Sequence, residues 1–305
     1  MFFIGRVPIE GELILAPMAG YSDRPYRAMG SALSYTSCIL DEAVLQRSKR
    51  TETLVDFGAE ERPVAIQMLS NDEHTLVEAC LRLMALGPDL FDLNLGCPAR
   101  HVSYRGRGAA LLRAPERIGR MVTRLVKAVP VPVTAKIRLG WEQRNYLEVA
   151  RILEDSGVAA IAVHGRTKAQ SYAERADWGA IAEVRQAVRV PVLANGDVRT
   201  VADIAAIRAA TGCAAVMIGR GAVGNPWIFQ GRDITSVPYA ERLAVIRRHL
   251  AAMLEYYGER VGLLLFRKHV VKYVQGLDGV GLLRHRLVAC ESPEALLRTL
   301  EEWGC

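Results

Sequence analysis

The stretch Phe91-Asp92-Leu93-Asn94-Leu95-Gly96-Cys97-Pro98-Ala99-Arg100 joins a strand pattern to a thiol. Phe91, Leu93 and Leu95 share one face and Asp92, Asn94 and Gly96 the other, a period of two. Gly96 and Pro98 fix a tight turn around Cys97. A thiol just past a strand is placed for proton or nucleophilic chemistry; the plain alternative is a small buried hydrophobe. Polar residues recur at the ends of other apolar runs. Val133, Ala135 and Ile137 face one way, and Thr134, Lys136 and Arg138 the other. His164 and Arg166 share the inward parity of their run. An inward lysine needs a partner, since an unpaired buried ammonium costs several kcal/mol. Asp92 on the neighbouring strand is one candidate, and a bound anion is the other. His164 reads as a polar contact to a cofactor or substrate, with a satisfied core histidine as the alternative. Asp197 reads as the cap of a helix beginning near Thr200.

The elements that must position these residues follow from apolar periodicity. Eight short apolar runs occur, at 13–18, 35–42, 63–69, 90–96, 132–138, 159–166, 191–196 and 214–220. Helical periodicity separates them, as in Ile118, Met121, Val122, Leu125 and Val126. Strand and helix alternating eight times predict an α/β fold, a (β/α)8 TIM barrel. A doubly wound open sheet is the competitor, and no G-x-G-x-x-G follows the first run. From 240 onward only helical periodicity remains, with Leu243, Ile246, Leu250, Leu254 and Tyr257 on one face. Gly258 reads as a helix stop. A second helix is expected over about 260–275, and a last one from Ser292-Pro293-Glu294, capped by the serine. The expected organisation is a barrel over residues 1–233 and a small all-α helical domain over 234–305.

Composition narrows the class. The chain has 305 residues, 50% hydrophobic and 24% charged, enough for a large core. No run approaches the ~18 apolar residues of a membrane span, and the first residues are too short for a signal peptide. The expectation is a cytoplasmic monomer without a membrane partner. Cysteines 38, 80, 97, 213, 290 and 305 form no C-x-x-C pair, so neither a metal site nor a disulfide framework is indicated. The net charge of +6 permits a polyanionic partner. Between Leu93 and Pro115 there is no acidic residue, while Arg100, Arg105, Arg107 and Arg113 are present. From Ala240 to Arg286, nine Lys/Arg stand against four Asp/Glu. Local excesses of this kind suit a nucleic-acid footprint, or else two solvated faces.

In a barrel the strand ends converge on one site. Asn195-Gly196-Asp197 and Gly219-Arg220-Gly221 sit where barrels hold phosphate with backbone N–H groups, and Arg220 adds a charge-assisted contact. Gln67 and Asn94 offer amides to a planar heterocycle, and Lys136 offers a cation. A phosphate at one end and a ring at the other suggest flavin mononucleotide (FMN), with Lys136 answering the charge of the reduced ring.

Ala16-Pro17-Met18-Ala19-Gly20-Tyr21-Ser22-Asp23-Arg24-Pro25, Asn94-Leu95-Gly96-Cys97-Pro98, Lys136-Ile137-Arg138, His164-Gly165-Arg166-Thr167, Ala194-Asn195-Gly196-Asp197 and Met217-Ile218-Gly219-Arg220 resemble the tRNA-dihydrouridine synthase family in order and spacing. The likeness covers nearly the whole chain, including Arg267-Lys268-His269. It implies an FMN enzyme that uses NADPH to reduce the 5,6 double bond of particular uridines in tRNA. It also implies that Pro17, Met18, Ala19, Gln67, Asn94, Lys136, His164, Asn195, Gly196, Asp197, Gly219 and Arg220 hold FMN, and that Cys97 is the general acid. Arg100, Arg105, Arg107, Arg138, Arg166, Arg267, Lys268 and Lys272 are the expected tRNA contacts. One departure is Arg100-His101-Val102, where the family often has lysine followed by valine. Two rivals remain at this point: a flavin barrel acting on a free pyrimidine, and an RNA-binding barrel without flavin.

Overall fold

The computed structural model describes residues 1–303, with the side chain of Arg50 left out. They fall into two compact units. The first comprises Met1–Arg27, Ser31–Val198 and Ala202–Gly219; the second comprises Ala28–Gly30, Arg199–Val201 and the chain from Arg220 onward. The second unit thus starts ahead of the expected break at 233.

In chain order the strands are β1 (Phe2–Ile4), β2 (Val7–Ile9), β3 (Leu13–Leu15), β4 (Ser34–Tyr35), β5 (Ile39–Leu40), β6 (Val64–Leu69), β7 (Leu90–Leu95), β8 (Val133–Arg138), β9 (Ala160–His164), β10 (Val192–Asn195) and β11 (Ala215–Ile218). From β3 onward all neighbours pair in parallel, in the order β3-β11-β10-β9-β8-β7-β6-β4, and β5 also pairs with β6. Backbone bonds from Ala32 N to Leu13 O (3.0 Å) and from Leu15 N to Leu33 O (3.3 Å) draw the two edges together. Helices such as Glu73–Leu83, Pro115–Ala128 and Tyr146–Asp155 lie in the connections. This is the (β/α)8 TIM barrel. In Pro115–Ala128 the buried residues are Ile118, Met121, Val122 and Leu125, the stripe that the sequence marked.

The run at 35–42 differs from its expected single strand. Thr36 Oγ1 accepts the Gln67 N–H at 3.1 Å, so a side chain takes a ladder position there. The strand is split into β4 and β5, and a helix begins at once with Asp41. The antiparallel β1–β2 hairpin was not foreseen. Ile4 and Ile9 are fully buried with Ile14, Leu33, Leu90, Ala160 and Ala215, residues at or near strand starts. The hairpin therefore plugs the end of the barrel opposite the strand C-termini.

The second unit contains helices Tyr239–Tyr257, Glu259–Tyr273, Val280–Ala289 and Pro293–Trp303. Gly258, with φ +76°, makes the first bend. Ser292 Oγ accepts from Ala295 N, the expected cap. The Val280–Ala289 helix escaped the periodicity reading because only Leu283 and Leu287 are buried on it. Ile246, Leu250, Met253, Phe266, Val270, Leu296 and Leu300 join these two in one core. His249 and His269 are fully buried in it, with ring centroids 4.8 Å apart. His249 Nδ1 lies 3.0 Å from the Tyr273 hydroxyl. Burial, with Lys268 and Arg248 adding to it, pushes His249 down to about 3. Burial, then His249 and Lys268, pushes His269 down to about 2.

Both imidazoles fold neutral and would charge on unfolding below the ordinary histidine pKa. Their stabilisation is complete above about pH 6.5 and falls as pH drops, by about 1.4 kcal/mol per pH unit for each ring. Chemical denaturation followed by circular dichroism between pH 7 and 5 should show this loss. His269→Phe should make the slope shallower by about one proton.

Candidate functional site

The inner face of the barrel carries a ladder of polar side chains. Asp92 is 1% exposed and lies opposite Thr134 in register. Its carboxylate accepts from Thr134 Oγ1 at 2.6 Å and from Gln67 Nε2 at 2.8 Å. Burial raises its pKa to about 6, against the lowering effect of these bonds and of Lys136. Gln67 Oε1 in turn accepts from Asn94 Nδ2 at 2.8 Å. Asn94 Oδ1 then accepts two backbone N–H groups, from Gly96 at 3.1 Å and Cys97 at 2.9 Å. Both ends of the Gln67 amide, expected to face a ring, are thus engaged with its neighbours. The Cys97 thiol is partly buried.

Lys136 sits opposite Asn94 on β7 and Ala162 on β9. Its ammonium does not pair with Asp92. It donates to Asn195 Oδ1 at 2.8 Å, while Asn195 Nδ2 donates to Met217 O at 2.7 Å. Asp92 is two residues down the strand from Asn94, and its oxygens are taken by Thr134 and Gln67, which explains the missing ion pair. Burial, then the nearby Arg138 guanidinium, pushes Lys136 down to about 8, with Asp92 acting the other way.

Two arginines expected on tRNA are buried instead at the strand ends. Arg138, 3% exposed, donates from Nε to Gly96 O (2.8 Å) and from NH1 to Thr167 O (3.1 Å), so it fixes the turn that carries Cys97. Arg166, 2% exposed, donates to both carboxylate oxygens of Asp197 at 2.7 and 2.6 Å and to Glu174 O at 2.6 Å. Asp197, expected as a helix cap, receives this guanidinium and the Ala176 N–H. It does so from a left-handed backbone at φ +57°. At Gly196 a Cβ would lie 2.7 Å from Ala176 Cβ and 3.4 Å from His164 Cδ2, so only glycine lets this turn close against His164. His164 is buried beside Arg166 NH1, 3.4 Å away.

Tyr172 escaped the sequence reading. Its ring lies 5.7 Å from the Arg138 guanidinium carbon and 6.0 Å from that of Arg166, and it meets His164 edge-on at 6.2 Å. The only signal was an aromatic residue in an otherwise polar loop after His-Gly-Arg-Thr. Trp141 was likewise missed; its ring lies 4.5 Å from the Arg113 guanidinium carbon and 4.2 Å from the Lys168 ammonium.

Pro17 and Met18 are partly buried and Ala19 is exposed, in a turn braced by Ser22, whose Oγ accepts from Met18 N at 2.8 Å. A Cβ on Gly219 would stand 3.6 Å from Ala16 Cβ and Met18 Sδ, so β3 and β11 end side by side. Of the remaining basic residues, Arg100 and Arg105 are exposed. Arg107 is not a surface contact: it is 3% exposed and ion-paired to Glu42. In the second unit Arg220 and Lys272 are exposed and Lys268 is partly buried. Arg267 is also partly buried, and it donates to Cys290 O. Among the described residues no three His, Cys, Asp or Glu side chains are grouped for a metal ion, and no helix is long and apolar enough to cross a membrane.

Comparison with known proteins adds a family. A family model described as dihydrouridine synthase (Dus) matches residues 14–303. The chain is 35% identical over 314 residues to tRNA-dihydrouridine synthase B of Pseudomonas aeruginosa, covering 98% of this chain and 95% of that protein. It is 36% identical over 314 residues to the protein of the same name from Pectobacterium carotovorum, covering 98% of both. It is 34% identical over 312 residues to that of Vibrio cholerae, covering 98% and 97%. Among solved structures, a 2-naphthoyl-CoA reductase complex matches with TM-score 0.57 at 11% identity, over 77% of this chain and 52% of that one. The Amycolatopsis orientalis BexX/CysO complex matches with TM-score 0.50 at 15% identity, over 83% and 93%. At these identities the likeness concerns the fold alone.

The depressed pKa of Lys136 has a measurable consequence. An amine whose pKa is 10.5 when unfolded and about 8 when folded costs stability in full below pH 8, and the cost fades as pH rises toward 10.5. Lys136→Met in ligand-stripped protein should therefore melt a few degrees above wild type at pH 7. The gap should narrow by pH 9.5.

Proposed function

The chain belongs to the dihydrouridine synthase family, and from that premise we propose that it forms dihydrouridine in tRNA, with FMN as its bound carrier, NADPH as reductant and Cys97 as proton donor. The observation that carries the reading is Asn94. It lies opposite Lys136 in the barrel register, and its Oδ1 holds the Cys97 N–H, which brings an ammonium and a thiol to neighbouring strand ends.

The residues present fit a flavin. Among the described residues the Lys136 ammonium meets only the neutral amide oxygen of Asn195, and no carboxylate lies within ion-pairing distance. A largely desolvated cation so placed, at a partly buried position, favours an anionic ligand. The Pro17–Ala19 turn, Lys136, His164, Asn195, Gly196 and Gly219 would hold FMN, and Gln67 would act through Asn94. What the group supplies when bound and reduced is a hydride for carbon 6 of a uracil ring.

The chain's own residues do the rest. Lys136 stands ready to balance negative charge, because its pKa of about 8 leaves it protonated at neutral pH. Cys97 gives its S–H proton to carbon 5 as charge builds there, and the sulfur keeps the electron pair. Asn94 and Arg138 hold the backbone on both sides of that thiol. The target base must leave its stack to reach the barrel mouth. Exposed Arg100 and Arg105 in the first unit and Lys272 in the second would take backbone phosphates.

Cys97→Ala should purify yellow and accept electrons from NADPH, yet lose at least two orders of magnitude in dihydrouridine formation on unmodified tRNA. Wild-type turnover in that variant would remove the acid assignment. Lys272→Ala should weaken tRNA binding and lower the slope of log Kd against log salt by about one, measured by filter binding between 50 and 300 mM salt.

A further inference from the structure

The Cys97 loop is tied down by a buried guanidinium. After Cys97 the chain makes a short helical turn over Arg100–Ser103 and then comes back on itself. Two glycines bracket the return, Gly106 at φ +69° and Gly108 at φ +60°. Gly108 is so close to the start of the loop that a Cβ on it would lie 2.9 Å from Cys97 O and 3.0 Å from Cys97 Cβ. Ala109 N donates to Cys97 O at 3.1 Å. Arg107 is the residue between the two glycines, at the point where the loop closes on the thiol.

Its side chain reaches away from the loop into the two preceding strand-end connections. NH2 donates to Glu42 Oε1 and lies 3.9 Å from Asp41 Oδ1, both in the helix Asp41–Leu45 that follows β5. Asp41 is fully buried and accepts from Ser70 Oγ (2.5 Å) and Thr75 Oγ1 (2.6 Å), which follow β6. A second tie runs in parallel: Asn71 Nδ2 donates to Arg105 O at 2.8 Å, and Arg117 donates to Asn71 O. The connections after β5, β6 and β7 are thus stitched together by polar contacts with Arg107 at their centre. Arg107 Nε is buried and has no acceptor among the described side chains and backbone groups. What the guanidinium adds is a fixed position. On the outer side of the same loop, Arg100, Tyr104 and Arg105 face solvent, with Tyr104 91% exposed.

We propose that Arg107, through Glu42 and Asp41, is a positioning residue: it holds the Cys97–Gly108 loop in the conformation that keeps the thiol at the barrel mouth while Arg100 and Arg105 face the RNA. The proposal rests on Cys97 as proton donor. A displacement of about 1 Å in such a group can cost about a hundredfold in rate.

The test compares wild type with Arg107→Met, which keeps bulk, Arg107→Lys, which keeps one donor, and Glu42→Gln, at a half-exposed position that folding should tolerate. Three readouts are taken on the full chain with FMN: the iodoacetamide alkylation rate of the Cys97 peptide by mass spectrometry, tryptic cleavage after Arg100 and Arg105, and dihydrouridine formation on tRNA. In Arg107→Met, alkylation should rise at least fivefold and cleavage should appear under conditions where wild type resists. Dihydrouridine formation should fall roughly 10- to 100-fold. Glu42→Gln should move all three in the same direction by less, and Arg107→Lys should recover part of each. Wild-type alkylation and protease resistance in both Arg107→Met and Glu42→Gln would overturn the proposal, as would a loosened loop with undiminished tRNA reduction. Failure of the acid assignment looks different: Cys97→Ala would then turn over tRNA, whatever the alkylation and cleavage results at Arg107.

Discussion

A carboxylate sealed inside the barrel sets the orientation of everything above it. Asp92 has two oxygens to satisfy at 1% exposure, and a buried carboxylate left unpaired would be far too costly. Thr134 satisfies one oxygen and Gln67 the other. With its Nε2 turned to Asp92, Gln67 presents Oε1 to Asn94. Asn94 must meet it with its amino group, which turns its own oxygen outward to the N–H groups of Gly96 and Cys97. Each group has one consistent orientation once its inner neighbour is fixed, and the thiol's backbone is the last member of the chain. Hydrogen bonds to charged groups contribute about 1.5–3 kcal/mol each, so reversing the order is not a thermal fluctuation.

The same logic divides the arginines. In sequence Arg100, Arg105 and Arg107 are equivalent members of an acid-free loop. In space, two reach solvent and one is buried, beside Asp41 and paired to the half-exposed Glu42. Arg138 and Arg166 are enclosed as well, one on the carbonyl before Cys97 and one on Asp197. The buried arginines hold the loops of the mouth, and the exposed ones are those proposed above to meet a polyanion. A positive surface alone would not separate these two tasks; burial and the presence of a carboxylate do.

Much of this was legible because strand parity is a strict rule. Period two put Asp92, Asn94, Lys136 and Arg138 on the inner face, and the register confirms their rows. Eight strand–helix repeats gave the barrel. What parity cannot give is which inner residue meets which. Lys136 was expected against Asp92 on the adjacent strand or against a ligand, whereas it reaches two strands over to Asn195, past the small Ala162. Loop residues were least legible. Tyr172 gains a cationic neighbour from the end of β8, and Trp141 one from the preceding connection. The glycines on either side of Arg107 were visible, but only the φ values show that the chain doubles back there. The hairpin at the start was hidden because two three-residue strands are too short for a periodic signal.

The unmade ion pair between Lys136 and Asp92 is the most informative of these differences. Residues two apart on one strand face are separated by about 6.6 Å along it. Lys136 therefore stands one full step above Asp92 in its row. Had the two met, the ammonium would have been neutralised within the protein and its pKa held high. Thr134 and Gln67 occupy Asp92 instead, so that charge is settled below, and Lys136 is left with a neutral amide as its partner. Burial, then Arg138, push its pKa down to about 8, and Asp92 offsets only part of that. The barrel gives up some stability to keep one positive charge uncommitted, and it does so at the row where Asn94 fixes the thiol. A cation held this way is strengthened rather than exhausted by the arrival of an anion, which is the condition for balancing charge that appears only during a reaction.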